Sequence, residues 1–184
     1  MTIGTIAARY AKALLKFAGE KNSDEAVYND CLVLRDIFIK VPRLPRALSN
    51  PLLSADKKKL LIGNALGGRP SEVLTRFIDL VLRWRREDTF IFIVNSYIGL
   101  YREKHNISVV GLTTATPADA HIIKRIGGMV GNKTGGTVEF TQKVREDIIG
   151  GFIFRLDTYR LDASVATQLN RMRNQFSEMN SRLV

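Results

Sequence analysis

The segment that most limits what this chain can become is Asp147–Leu169, DIIGGFIFRLDTYRLDASVATQL. Two adjacent glycines, Gly150 and Gly151, interrupt an apolar run. Glycines inside a strand pattern mark a bulge or a close approach of backbones. A polar corner at Asp157-Thr158 and a second short strand follow, and Asp162-Ala163-Ser164 opens a helix. Asp and Ser just before an apolar periodic run are helix-start signals. The segment offers no catalytic nucleophile, metal-ligand set or phosphate loop. It reads as a structural hairpin feeding a long amphipathic helix, which places function on surfaces rather than in a catalytic pocket.

Residues 5–104 read as all-helical. Periodic apolar positions predict helices over Thr5–Glu20 and, behind Ser23-Asp24-Glu25, from Ala26 to about Lys40. Pro42 and Pro45 allow only a short helix at Leu44–Leu48, and Asn50-Pro51 marks a turn. Ser54 precedes a helix over Ala55–Leu66 that stops at Gly67-Gly68. Pro70-Ser71 starts another helix to about Arg86, and Asp88-Thr89 separates it from a last one ending near Lys104. Phe90–Leu100 in that helix is apolar enough to be buried on most sides. Six helices with short connections predict a bundle.

The texture changes at His105-Asn106. Ile107–Thr114 is rich in β-branched residues and predicts a strand. Pro117 opens a helix to about Val130, ended by Gly131-Asn132, with a polar turn at Lys133–Gly136. Thr137–Val144 alternates as a strand, Ile148–Leu156 is a strand broken by Gly150-Gly151, Tyr159–Leu161 continues the sheet, and Ala163–Arg182 closes the chain as a helix. The expectation is α+β overall: a six-helix bundle over residues 1–105, then a small α/β domain over 106–184.

Composition narrows the function. No apolar run reaches the roughly 18–20 residues that span a bilayer. The N-terminus does not read as a signal or transit segment, so export is not expected. Cys31, the single cysteine, sits among apolar residues and reads as core. His105 and His121 lie in different elements, outside any metal-ligand spacing. Gly131–Gly136 (GNKTGG) has phosphate-loop residue types in the wrong order, at the wrong end of a helix. No catalytic, cofactor-binding or metal site emerges. The net charge is +10, and 18 basic against 11 acidic residues fall in residues 1–105. Lys57–Lys59 and Arg83, Arg85 and Arg86 are the local runs. Such a balance fits nucleic acid, an acidic membrane or an acidic protein.

Helix faces say more. At 100° per residue, Ala13, Ile6, Phe17, Tyr10, Leu14 and Ala11 fall within one arc of roughly 200° on the first helix. Leu80, Trp84, Phe77, Leu74, Ile78 and Leu82 span a comparable arc on the fifth. An outer helix of a small bundle needs about half that width. Either both helices sit centrally, or they are neighbours whose groove accepts a third, amphipathic helix. The last helix carries Val165, Leu169, Met172, Phe176, Met179 and Leu183 at alternating spacings of four and three, an a/d seam. Its first half packs on the preceding strands, and its tail from Phe176 to Leu183 is free to meet a partner.

Ala8–Ala18 (ARYAKALLKFA), Asn50-Pro51 followed by Lys57–Lys59, Phe77 through Tyr97, and the GGF…LDASV…QL run of Gly150–Leu169 form an ordered set. Together they resemble the delta subunit of F-type ATP synthases, which is related to the mitochondrial subunit that confers oligomycin sensitivity. The resemblance implies a non-catalytic peripheral-stalk subunit without cofactor. Its helical bundle sits on the alpha/beta catalytic head, and a groove between the first and fifth helices takes the N-terminal helix of an alpha subunit. Its second domain engages the C-terminal end of the b-subunit stalk, so that the head resists rotation. Carried onto matching helices, the groove residues are Ile6, Tyr10, Ala13, Phe17, Ile78 and Leu82, and the stalk residues Phe176, Met179 and Leu183. The implied location is the cytoplasmic face of a bacterial inner membrane, peripheral through the complex. Arg145-Glu146-Asp147 before Ile149-Gly150-Gly151, and Leu156-Asp157-Thr158 where many members have Gly-Asp, depart from the family pattern. The rival reading, from the charge alone, is an RNA-binding or ribosome-associated factor. The second region has neither an aromatic strand pair nor a GXXG clamp loop to support it.

Overall fold

Small side chains set how the helices approach one another. The computed structural model describes residues 3–68 and 70–181, the side chains of 120, 133 and 177–181 excepted. Helix α1 (Ile3–Glu20) buries Ala7, Ala11, Leu14 and Ala18 in one stripe. It packs most extensively on α6 (Phe90–Lys104), since alanines let two helix axes come close. Helix α6 buries Phe90, Ile93, Val94, Tyr97, Ile98 and Tyr101, an i, i+3, i+4 stripe that faces α1 and α2 (Asp24–Lys40). Phe92, Asn95 and Gly99 are exposed, so α6 is buried along this stripe and not on most sides. Helices α3 (Arg43–Leu48), α4 (Ala55–Ala65) and α5 (Glu72–Arg83) and a 3-10 turn at Glu87–Thr89 complete this unit.

Polar ties lock the bundle. The Tyr97 hydroxyl donates to the Asp24 carbonyl at 3.1 Å, Lys104 pairs with Asp24 at 3.0 Å, and Tyr28 stacks on Tyr101 with centroids 4.1 Å apart. The backbone N–H of Ser71 donates to Asp30 Oδ2 at 2.8 Å, so a carboxylate of α2 holds the start of α5. Ser23, Ser54 and Ser71 stand at helix starts without side-chain capping bonds; the Ser23 hydroxyl donates instead to the Lys21 carbonyl. Cys31 is fully buried. Desolvation, and then the neighbouring Asp30, push its thiol well above the usual range.

The chain divides into two compact units between Lys104 and His105. The second holds a four-stranded sheet in the order β2-β1-β3-β4. Strand β1 (Ile107–Thr114) pairs parallel with β2 (Thr137–Val144) across α7 (Ala120–Thr134), and antiparallel with β3 (Gly151–Leu156). Strand β4 (Tyr159–Ser164) forms a hairpin with β3 and leads into α8 (Val165–Ser181). This is an α+β chain, with a helical bundle followed by a small mixed sheet flanked by two helices.

Three boundaries differ from the periodic reading. Helix α7 continues through Gly131-Asn132 to Thr134, because Gly131 packs near Val138 and the left-handed stop falls at Gly135, with φ 64°. The segment before β3 is a 3-10 turn at Glu146–Ile148, held by Arg145 bonded to Asp147 on both oxygens. Strand β4 runs on to Ser164, whose hydroxyl accepts from the Thr167 N–H at 3.3 Å and so caps α8. Gly151 is required twice over: its φ is +73°, and a Cβ there would strike the Ala163 carbonyl oxygen.

Candidate partner groove

The groove forms because α1 and α5 each carry a wider apolar arc than the core can bury. On α5, Leu74, Ile78, Val81 and Leu82 turn inward, while Phe77 and Leu80 form the edge that borders α1. On α1, Ala7, Ala11 and Ala18 turn inward, leaving Tyr10, Ala13 and Phe17 on the other edge. These two edges enclose a cavity of about 490 Å³, lined also by Leu14 and, at its margins, by Arg9 and Arg76. The rings of Tyr10 and Phe77 meet edge to face at 6.3 Å and 73°, which fixes the floor. A smaller hollow at one end, about 170 Å³, is bounded by Phe17, Lys21, Ser23, Glu72, Val73 and Arg76. Residues 17 and 73 therefore meet at one end and 10 and 77 further along, so α1 and α5 run antiparallel beside the groove.

Of the groove residues taken from the sequence, the structure brings Tyr10, Ala13 and Phe17 to the cavity wall. Ile6 is half-buried on the same stripe, beyond the lining. Ile78 and Leu82 are 2% and 7% exposed and belong to the core. The physical reason is angular: they lie on the far edge of a roughly 200° arc, and α4 and α6 lie on that side. Phe77, Leu80, Arg9 and Arg76 line the cavity without having been singled out as groove residues. The change from apolar to cationic residues marks the borders of each arc in the sequence, but it does not say which border the groove would occupy. Trp84, on the same edge as Phe77 and Leu80, is 64% exposed.

In the second unit, Leu169, Met172 and Phe176 of α8 are all exposed, Phe176 at 68%. Only Val165, at the start of the seam, is half-buried among its described side chains, so the expected packing of the seam's first half on the strands does not reach Leu169 and Met172. The side chain of Met179 and the whole of Leu183 lie outside the described residues. Phe152, Tyr159 and Leu161 of the β3–β4 hairpin add exposed apolar area.

Among the described residues no three His, Cys, Asp or Glu side chains gather to hold a metal. No helix among them is long and apolar enough to cross a membrane. The basic runs also separate. Lys58 is buried against Glu87 at 2.7 Å and Lys59 pairs with Asp79 at 2.7 Å, so Lys57–Lys59 is not a continuous cationic strip.

The sequence matches the family described as ATP synthase delta (OSCP) subunit over residues 6–176. The chain belongs to that family. It is 49% identical to the ATP synthase subunit delta of Phocaeicola vulgatus, over all of both chains. It is 42% identical to that of Parabacteroides distasonis, over 97% of this chain and 99% of the relative. A chain in the cryo-EM structure of the Toxoplasma gondii mitochondrial ATP synthase hexamer shares the fold, with a TM-score of 0.66 at 23% identity, over 92% of this chain and 96% of that one. As a member of the delta (OSCP) family the chain is a non-catalytic subunit of a multi-subunit ATP synthase, associated peripherally with the membrane complex.

Proposed function

We propose that the chain is the stator subunit of a proton-translocating F-type ATP synthase. It joins the alpha/beta catalytic head to the b-subunit stalk and holds the head against rotation during ATP synthesis. The helical unit sits on the head, and the groove between α1 and α5 takes the N-terminal helix of an alpha subunit. The second unit meets the C-terminal end of the b-subunit stalk through the exposed seam of α8. The complex places the chain at the cytoplasmic face of a bacterial inner membrane. The observation that carries this reading is the open apolar groove of about 490 Å³ on a chain of this family. An occupant helix that buries about four apolar side chains there gains roughly 1.5–3 kcal/mol each. Association costs about 4–15 kcal/mol, so the groove alone supports a moderate affinity, and a lasting complex needs the second unit as well.

The test uses Trp84, which directly follows α5 at its C-terminal end and is 64% exposed. The full chain is titrated with a peptide from the N-terminus of the alpha subunit of its own organism, followed by fluorescence and calorimetry. One-to-one saturation is expected, and Tyr10→Asp or Leu80→Asp should abolish it with the helical signal unchanged. Leu80 is 44% exposed, so its substitution spares the core. Absence of saturable binding by both methods would remove the groove from the reading.

A further inference from the structure

We infer that the groove selects an amphipathic helix whose apolar stripe is bordered by acidic residues on both sides. This rests on the groove being the seat of a partner helix and adds the chemistry of that partner. On α1, Arg9 and Lys16 lie about 40° and 60° beyond Ala13, the outermost groove residue of that helix, at 100° per residue. On α5, Arg76 and Arg83 lie about 40° and 60° beyond Leu80, the outermost groove residue there. Each cationic pair spans seven residues, two turns or about 10.5 Å. The apolar floor is thus walled by two cationic rails of equal length and equal offset.

The rails are available to a partner. Arg9, Lys16 and Arg83 are exposed and make no ion pair among the described residues. Among the described residues Arg76 pairs with Glu72 of its own helix at 2.6 Å, with side chains 63% and 78% exposed. Such a surface pair is weak and readily exchanged. Of the acids near the rails, Glu20 and Glu72 fall at the Phe17 end of the groove, and Asp79, between Arg76 and Arg83 along α5 and about 40° to 60° further from the groove, is paired with Lys59 at 2.7 Å. A helix seated between α1 and α5 presents its apolar stripe to the floor and the positions on either side of that stripe to the rails. This is the relation of seam to flanks in a coiled coil, where flank charges choose the partner and its register. Glutamate or aspartate one heptad apart on both flanks meets Arg9 and Lys16 on one side and Arg76 and Arg83 on the other.

The experiment uses the full chain and three synthetic helical peptides that share one leucine stripe and differ only in flank residues: Glu, Gln or Lys. In 0.1 M salt the expected order is Glu, then Gln, then Lys, with about tenfold between Glu and Gln, the effect of roughly two or three exposed ion pairs. In 1 M salt, where the screening length falls from about 10 Å to about 3 Å, the three should converge. The double variant Arg9→Glu, Arg76→Glu should prefer the Lys peptide. Equal binding of all three peptides in low salt, or an order the double variant does not reverse, overturns the acidic-flank inference and leaves the groove in place. Binding of no peptide, or binding that Tyr10→Asp leaves intact, overturns the inference together with the groove.

Discussion

Lys58 and Lys59 are adjacent in sequence, and each makes an ion pair at 2.7 Å, yet removing their partners should have very different consequences. Lys58 and Glu87 are 6% and 14% exposed, and Glu87 lines a small hollow with Leu48, Ile62, Ile78, Val81, Leu82 and Phe90. Lys59 and Asp79 are 41% and 50% exposed. Glu87→Ala leaves an ammonium in an apolar pocket without its counter-charge, a loss of about 3–5 kcal/mol when fully buried. The residual access of Glu87 to water lowers the expectation to about 2–4 kcal/mol. Asp79→Ala removes a solvated pair worth about 0.2–1 kcal/mol. A fold of this kind has a total stability of only about 5–15 kcal/mol, so the first variant should shift a urea midpoint markedly and the second hardly at all. The double variant Lys58→Met, Glu87→Leu should recover most of the loss, since a well-packed apolar pair replaces a buried ionic one at little cost. The assay is urea denaturation followed by helical circular dichroism in low and high salt. If Glu87→Ala cost no more than Asp79→Ala, or if its cost vanished in high salt, burial would not be what distinguishes the pairs.

Two further outcomes follow from the second unit. Gly151→Ala forces a methyl onto the Ala163 carbonyl at φ +73° and should destabilise the β3–β4 hairpin by about 2–3 kcal/mol, whereas Gly128→Ala, with open space around it inside α7, should stabilise by about 0.5–1 kcal/mol; denaturant midpoints showing equal changes would refute this contrast. The Asp162 carboxyl is held at about 2, first by the Ser164 hydroxyl, then by the Ser164 N–H, with help from Thr167 and Arg160. A depressed carboxyl pKa means the folded state prefers the charged form. The contribution of Asp162 is therefore complete above pH ~4 and is lost as pH falls towards 2. Carboxyl-resolved NMR should find the Asp162 midpoint near 2, and Ser164→Ala should raise it; a midpoint near 4 in the parent chain would remove the capping argument.

Local signals carried most of the fold. Proline, Asn-Pro and Gly-Gly steps set the breaks between helices, and β-branched runs set β1 and β2. What local signals misplaced were boundaries decided by contacts distant in sequence. Gly131 looks like a helix stop but serves close packing of α7 near Val138, while Gly135 ends the helix four residues later. Ile148 looks like the first residue of a strand but is buried in a 3-10 turn pinned by Arg145 and Asp147. The three serines at helix starts look like caps, yet α5 is held by Asp30 of another helix.

The site divides in the same manner. Periodicity alone determines that α1 and α5 each have an apolar arc near 200°, because the arc depends only on residue type and on 100° per residue. It also determines that charge borders each arc. Periodicity cannot decide which edge of so wide an arc points inward, since both edges are equally apolar. That choice belongs to the neighbours: α6 takes the alanine edge of α1, the core takes Ile78 and Leu82, and Tyr10, Phe17, Phe77 and Leu80 are left to face one another across open space. Sequence determined how much apolar surface these helices carry, and tertiary packing decided which part of it stays uncovered, because burial is a property of pairs of surfaces and not of one helix.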